Sequence, residues 1–308
     1  MKTSHIFHYK NGKNKSIVIG IGKFDGFHIG HQKIIKQVVN LAEKLICTPS
    51  VFTIRNYPAT YTLSSWNQRK QFFKESGIEL CLWADFTDIQ KFTHQDFLNL
   101  LQNICDIKGV VVGKNFRFGF HRKGDIRFLK SWAKINNIKV SIINPVCVKG
   151  TPVSSSSIKQ LIKNSHFSEA RDMLGRWFTV KGRCISGRGT GRKIGFPTIN
   201  LELENKNCPV SDGVYACFVK HNKNIYKAAV FYGIPRMFHT EKSFEIHIPD
   251  VEICNVQGKS FTVIFVKKIR DVEQFNSQKE LSEKISQDVC ITKKLLDSVK
   301  LDDFKKTL

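Results

Sequence analysis

Acidic side chains are scarce in this 308-residue chain: 26 Asp and Glu stand against 49 Lys and Arg, a formal charge of +23. That balance disfavours cationic substrates and favours anionic ones, nucleotides and nucleic acids included. The basic residues are spread along the chain with no basic tail, and a Lys-, Asn- and Ile-rich sequence is what AT-rich coding tends to produce. Nucleic acid is therefore not expected as the partner. Long hydrophobic runs are lacking too: no stretch approaches 18 uncharged apolar residues, and the opening MKTSHIFHYKNGKNK has no apolar leader core, so neither a spanning helix nor a secretory signal is expected. Cys-x-x-Cys pairs are absent. The nine cysteines are odd in number and no two are closer than nine positions, which argues against zinc sites and disulfide frameworks and for thiols in a reducing cytoplasm. What is present is globular: 41% hydrophobic and 11% aromatic residues, in a length that suits two domains.

The most informative segment is Gly22 to Gln32, GKFDGFHIGHQ. The run SIVIGIG before it has the β-branched density of a buried parallel strand. After it, Ile35, Val38, Val39, Ala42, Leu45 and Ile46 fall at helical spacing from Ile34 onward. His28 and His31 are thus predicted at a strand-to-helix turn. Unsatisfied backbone N–H groups at a helix N-terminus favour a polyphosphate, and two imidazoles can donate to phosphate oxygens as charge builds in a transition state. Gly22, Gly26 and Gly30 permit close approach of backbone and phosphate.

Further strands are predicted at Thr48–Thr53, Glu79–Ala84 and Lys108–Val112, with helices at Leu63–Gly77 and Phe97–Cys105. This alternation implies a parallel sheet with ligands at the carboxyl ends of its strands. The loop GKNFRFGFHRKGD, Gly113 to Asp125, follows one such strand, and its Arg117, Arg122 and Lys123 among aromatics suit phosphate oxygens and a stacked ring. SSSSIK, Ser154 to Lys159, reads as a helix N-cap able to contact another phosphate.

These motifs resemble those of the bacterial bifunctional riboflavin kinase/FMN adenylyltransferase, or FAD synthetase, family: G-x-F-D-G-x-H-x-G-H-Q, then G-x-D-F-R-F-G-x-x-x-x-G-D, then I-S-S-T-x-I-R. His28 to His31 also spell HIGH, the nucleotide signature of class I aminoacyl-tRNA synthetases. The resemblance implies an adenylyl-transfer site with His28 and His31 catalytic, and with ATP and its phosphates held by Gly22, Phe24, Asp25, Gly26, Gly30, Asn115, Arg117, Arg122, Ser154, Ser155, Ser156 and Lys159. Asn115 stands for the family's Asp, Ser156 for Thr and Lys159 for Arg; the last keeps charge and loses the bidentate fork. The F-x-P-x-P segment is matched only loosely, by Phe52 to Pro58.

From Phe178 the pattern changes to period-two runs: FTVKGRCI, GVYACFV, YKAAVFY, SFEIHI and SFTVIFV. They predict an antiparallel barrel closed by a helical tail from about Asp271. GRGTGRKIGFPTINL, Gly187 to Leu201, is a cationic glycine-rich flap suited to phosphates, and its GFPTxNL resembles the riboflavin kinase module. On that resemblance Thr198 and Asn200 hold Mg²⁺, and Gly187, Arg188, Gly191, Arg192, Gly195 and Pro197 hold ATP. Glu245, in FEIHI, is then the base for the riboflavin 5′-hydroxyl. The family's N-I-G-x-x-P-T-F is reduced to Phe231–Phe238, and D-L-Y-G to Val256–Gly258. The fold class implied is α/β: an N-terminal Rossmann-like nucleotidyltransferase module with a parallel sheet, residues 1–177, then an antiparallel β-barrel kinase module with a terminal helix, residues 178–308. The reactions implied are phosphorylation of riboflavin to FMN and adenylylation of FMN to FAD, with ATP as co-substrate, FMN and FAD as product ligands, and neither nucleic acid nor membrane as partner. The sequence specifies no oligomeric state. Three rivals stand beside this reading: an adenylyltransferase with a merely structural second module, a synthetase-like enzyme, which lacks a KMSKS-like lysine pair, and a non-catalytic flavin or nucleotide sensor.

Overall fold

β-Branched runs build the first sheet. In the computed structural model, residues 1–9, 15–187, 189–205, 208–234, 242–251, 256–299 and 304 are described. Strands β1 (Lys2–His5), β2 (Ser16–Ile21), β3 (Thr48–Ile54), β4 (Leu80–Ala84), β5 (Asp106–Gly113) and β6 (Lys139–Ile143) lie in the order β1-β4-β3-β2-β5-β6. Every ladder is parallel. A parallel sheet needs cover on both faces, and helices α1 (Ile29–Leu45), α2 (Trp66–Glu75), α3 (His94–Ile104) and α4 (Ile126–Ile135) supply it. Alternate strand residues point to opposite faces. Ile17, Ile19, Ile21 and Val112 accordingly pack with Leu98, Leu101 and Leu129 of α3 and α4, while Val18, Val51 and Val111 pack with Ile35, Val38 and Phe73 of α1 and α2. A Cβ on Gly20 would lie 2.8 Å from Val38 Cγ2, so the glycine sets how closely α1 approaches β2.

The predicted elements of this half are found with the predicted types. Helix α1 starts five residues before Ile34 because His28 caps it, and Ile46 is no core residue: it is 95% exposed in the left-handed region (φ 53°) that ends the helix. Strand β1, α4 and β6 were not among the predicted elements: β1, KTSH, is short and polar and joins the sheet edge beside β4, whereas α4 and β6 carry ordinary amphipathic and β-branched patterns that could have been read.

The chain divides into two compact units, residues 1–60 with 64–155, and 61–63 with 156–308. In the second, α5 (Ser155–Lys163) and α6 (Phe167–Leu174) precede β7 (Thr179–Ile185), β8 (Ile199–Leu203), β9 (Gly213–His221), β10 (Asn224–Gly233), β11 (Ser243–His247) and β12 (Ser260–Arg270). These six strands close as β8-β11-β10-β9-β12-β7, every ladder antiparallel. Closure removes the unpaired edges. The predicted barrel and terminal helix are both present; β8 is the strand not foreseen, because its PTIN segment reads as a ligand motif. The helix, α7 (Gln278–Asp297), begins seven residues after Asp271, with Ser277 as its cap, and buries Asp288, Thr292 and Leu296 at a spacing of four. Each cysteine among the described residues is a free thiol, and no helix among them is long and apolar enough to cross a membrane.

Candidate active sites

The strand order reverses between β2 and β5, and in open α/β sheets ligands bind at that reversal, outside the carboxyl ends of the strands. The histidine turn follows β2, and the aromatic basic loop follows β5. His28 is the N-cap of α1, in extended conformation (φ −66°, ψ 169°), and its Nδ1 accepts the backbone N–H of His31 at 3.3 Å. A neutral imidazole that accepts at Nδ1 carries its proton on Nε2. The cap therefore makes His28 Nε2 a donor at the positive end of a 17-residue helix. The two imidazoles stack with centroids 3.6 Å apart and planes at 19°. Gly30 makes room for this: a Cβ there would stand 3.2 Å from His28 Nδ1 and Cε1.

The turn itself is strained and held by its surroundings. Phe24, Gly26 and Phe27 have φ of 52°, 78° and 43°, and for a bulky residue such a conformation costs about 1–3 kcal/mol. Burial of both phenylalanine rings offsets it: Phe24 is 0% and Phe27 5% exposed, against Phe73 and Phe72. Phe24, predicted among the ATP contacts, thus has its ring in the core and presents only backbone to a ligand. Around it, Ser64 donates its N–H to Asp25 Oδ1 (3.2 Å) and accepts the Gly26 N–H (3.0 Å). Ser155 Oγ donates to the Asp25 carbonyl at 2.9 Å. The Lys23 carbonyl accepts from Thr53 Oγ1 (3.0 Å) and Arg69 Nη1 (3.1 Å). Arg69 is buried, which lowers its pKa, and also donates to the carbonyls of Ile54 (2.7 Å) and Arg55 (2.6 Å). The sequence did not single out Ser64, Thr53 or Arg69; one arginine among 49 basic residues carries no local signal.

After β5, Phe118 and Gly124 exchange backbone hydrogen bonds (3.1 and 2.9 Å), closing the loop as a bridge. The loop lies on the start of α3, since a Cβ on Gly119 (φ 73°) would come 2.4 Å from His94 N. Phe116 stacks on Phe118 at 5.2 Å. Asn115, Arg117 and Arg122 are exposed, and Arg117 lies 3.7 Å from Asp125. Asp125 caps α4, and the Phe128 N–H it accepts at 3.0 Å holds its carboxyl below the usual range. Of SSSSIK, Ser154 and Ser155 belong to the first compact unit, whereas Ser156 and Lys159 belong to the second.

The second constellation lies on the barrel. Asn200 on β8 and Glu245 on β11 are register partners. Thr198 Oγ1 donates to Glu245 Oε2 at 3.4 Å, and Ser243 Oγ donates to Oε1 at 2.9 Å. A Cβ on Gly187 would lie 2.1 Å from Asn200 Nδ2 and 3.6 Å from Oδ1, so the amide nitrogen rests on the glycine and its oxygen turns away. A Cβ on Gly191 would sit 2.3 Å from the Phe196 carbonyl and 3.3 Å from Thr198 Oγ1; the glycines let the flap fold onto the threonine. His247 Nδ1 donates to the Pro197 carbonyl at 2.9 Å. A cavity of about 380 Å³ is lined by Gly187, Gly191, Thr198, Asn200 and Glu245 and also by the apolar Phe231, Val272, Phe275, Leu281 and Ile285, with Phe231 opposite Glu245 on the neighbouring strand. Arg192, Gly195 and Pro197 lie on the same flap but outside the cavity lining, and Arg188 falls outside the described residues, as do 235–238. Ser243 and the bidentate Arg270–Asp288 pair, which also line the cavity, were missed from the sequence.

A riboflavin kinase family model matches residues 174–296 and an FAD synthetase family model matches 10–157. A bifunctional riboflavin kinase/FMN adenylyltransferase of Buchnera aphidicola subsp. Acyrthosiphon pisum is 32% identical over 295 residues, covering 91% of this chain and 94% of that protein. The chain belongs to the bifunctional riboflavin kinase/FMN adenylyltransferase family. Family members from Escherichia coli K12 and Bacillus subtilis are 28% and 27% identical, covering 92% and 94% of this chain and 94% and 96% of their own. A crystal structure described as a macrolide-efflux protein from Streptococcus pneumoniae superposes with a TM-score of 0.81 at 26% identity, over 95% of this chain and 99% of that one. That description is the Streptococcus protein's own; the likeness is of fold over nearly the whole chain.

Proposed function

We propose that this family member makes FAD from riboflavin in two ATP-dependent steps, phosphoryl transfer on residues 178–308 and adenylyl transfer on residues 1–177. The observation that carries the reading is the meeting of Asn200, Thr198 and Glu245 in one cavity under a glycine-rich flap, in the same chain as a histidine-capped helix at the sheet's reversal. In the first step Glu245 takes the proton of the riboflavin 5′-hydroxyl as its oxygen bonds to the γ-phosphorus of ATP, and ADP leaves. Thr198 and Asn200 offer the hard oxygen donors Mg²⁺ requires, and the amide turned on Gly187 fits that role. When bound there, the ion neutralises charge on the ATP phosphates. The apolar part of the lining, with Phe231, Val272, Phe275, Leu281 and Ile285, receives the flavin ring.

In the second step an FMN phosphate oxygen bonds to the α-phosphorus of another ATP, the bond to the β-phosphate breaks, and pyrophosphate leaves. His28 and His31 stabilise the charge that develops, with no covalent intermediate. The glycines of the turn and the loop after β5 bind the nucleotide. Substrates are small molecules, with neither nucleic acid nor membrane as partner, and the unpaired thiols suit the cytoplasm.

The test is chromatography of flavins after incubating the protein with riboflavin, Mg²⁺ and ATP, and separately with FMN, Mg²⁺ and ATP. The expected products are FMN and then FAD in the first mixture and FAD in the second. Glu245→Gln abolishes only the phosphorylation and His28→Ala impairs only FAD formation. FMN without FAD refutes the adenylyl-transfer site, FAD only from FMN refutes the kinase, and no product in either mixture refutes both.

A further inference from the structure

We propose that Ser243 is a positioning residue for the phosphoryl-transfer step, its hydroxyl fixing the Glu245 carboxylate in the orientation that takes the proton of the attacking hydroxyl. The inference rests on the reading of Glu245 as the base. A glutamate has three side-chain torsions, and one facing a 380 Å³ cavity is oriented by packing on few sides. Its direction must come from hydrogen bonds. Residues two apart on a strand share a face, so Ser243 and Glu245 both project from β11 toward the cavity that each lines. Ser243 Oγ reaches Oε1 at 2.9 Å, inside the usual range for a hydroxyl donor, whereas Thr198 Oγ1 stands 3.4 Å from Oε2, beyond that range. One donor is the first residue of β11 and the other lies just before β8, and they approach different oxygens, which fixes the carboxylate plane. Ser243 supplies the stronger half of that clamp.

The surroundings leave Ser243 to this task. Its partner across the ladder to β10 is Gly233, which has no side chain to compete for the hydroxyl. The preceding Lys242 also lines the cavity, but its Nζ is engaged by Asp212 Oδ1 at 2.5 Å and lies 4.1 Å from the Tyr232 ring centroid. A hydrogen bond to a charged group that only orients a base should appear in turnover and not in substrate binding.

The experiment is steady-state kinetics of FMN formation on the full chain for Ser243→Ala, Ser243→Cys and Ser243→Thr, with Glu245→Gln alongside. Ser243→Ala is expected to lower kcat about tenfold, the lower end of what a hydrogen bond to a charged group supplies, while KM for riboflavin and for ATP stays within about twofold. Ser243→Cys, with similar volume and a weak donor, should behave like the alanine variant, and Ser243→Thr, which keeps the hydroxyl on a side chain that suits a strand, should recover wild-type kcat. FAD formation from FMN should be unchanged in all three. A kcat for Ser243→Ala within about twofold of wild type, an effect confined to KM, or a threonine variant no better than alanine overturns the proposal. If Glu245→Gln still phosphorylates riboflavin at the wild-type rate, the base assignment falls and this inference with it. If Glu245→Gln is inactive and Ser243→Ala is not slowed, only the role of Ser243 falls.

Discussion

Replacing Asp288 by Ala should destabilise the barrel unit by about 3 kcal/mol, whereas replacing Arg270 and Asp288 together by Met and Leu should cost about 1 kcal/mol or less. Arg270, at the end of β12, sends Nε to both Asp288 oxygens (3.1 and 3.0 Å) and Nη2 to Oδ2 (2.8 Å), with the side chains 13% and 4% exposed. Removing one member of a buried pair costs about 3–5 kcal/mol because the other charge is left behind, while replacing both by apolar residues of similar volume is often neutral. The lower end applies here. Arg270 keeps its bond to the Asp271 carbonyl (3.1 Å) and a more distant Glu273 carboxylate (3.9 Å). For a unit of this size each kcal/mol lowers the melting temperature by about 2–4 °C, so Asp288→Ala should melt about 6–12 °C lower. Urea titration followed by the fluorescence of Trp177, with Trp66, Trp83 and Trp132 replaced by Phe, isolates the second unit. The same substitution loosens the α7 wall formed by Leu281 and Ile285, so KM for riboflavin should rise while KM for FMN in the second reaction does not. A loss below about 1 kcal/mol for Asp288→Ala, or a double variant that loses the sum of the single losses, would refute the argument that the pair matters through an uncompensated charge.

His28→Asn should retain helix-capping stability, because an Asn side chain caps as well as any residue, yet lose most FAD formation because no Nε2–H remains; His28→Ala should lose both, with about 1 kcal/mol off the urea-derived stability. Gly30→Ala, in the first turn of α1, gains less than the roughly 1 kcal/mol of a helix interior and pushes on the His28 ring from 3.2 Å, so it should cut FAD formation with little change in melting temperature, and activity at the wild-type level would contradict the ring placement. Burial pushes the thiols of Cys81, Cys105 and Cys208 up to about 12. The unfolded chain ionises such thiols near 8.5, so folded stability is intact below that pH and falls above it by about 1.4 kcal/mol per thiol per pH unit. Urea curves at pH 8 and pH 10 should show the loss, and Cys81→Ala should make it shallower. Native labelling with iodoacetamide should mark the exposed Cys147 and Cys290 and spare those three.

Periodicity carries the architecture because burial enforces it. SIVIGI must be covered on both faces, and GVYACFV on the barrel is buried along nearly its whole length, so their patterns survive in the sequence. The candidate sites are legible where chemistry asks for a residue type at a fixed spacing, as with His28 and His31, which stack at the cap of α1, or Thr198 and Asn200, which line the barrel cavity. They are silent where a side chain acts on a distant carbonyl. Arg69 binds residues 14, 15 and 46 positions away, and Ser64 meets Asp25 across 39; no local window contains both partners. Ser243 is legible in principle, since polar side chains two apart on a predicted strand share a face.

The two proposed reactions also account for why one site carries a poised carboxylate and the other does not. A sugar hydroxyl is neutral at working pH and must lose its proton as it attacks, so the barrel site needs an acceptor within reach, and Glu245, opposite Asn200, accepts from the hydroxyls of Ser243 and Thr198. A phosphate monoester has a second pKa of about 6, so FMN arrives already ionised and needs no base. What its attack on an α-phosphate needs is donors for the accumulating negative charge. The histidine turn supplies those alone: a helix N-terminus and a His28 whose cap puts its proton on Nε2. The one carboxylate in that turn, Asp25, accepts from Ser64 and is built into the turn. On the proposed reactions, the nucleophile's charge decides which side chains each module needs, and exchanging the roles, with a base at the turn or imidazoles on β11, would leave both reactions without the group they require.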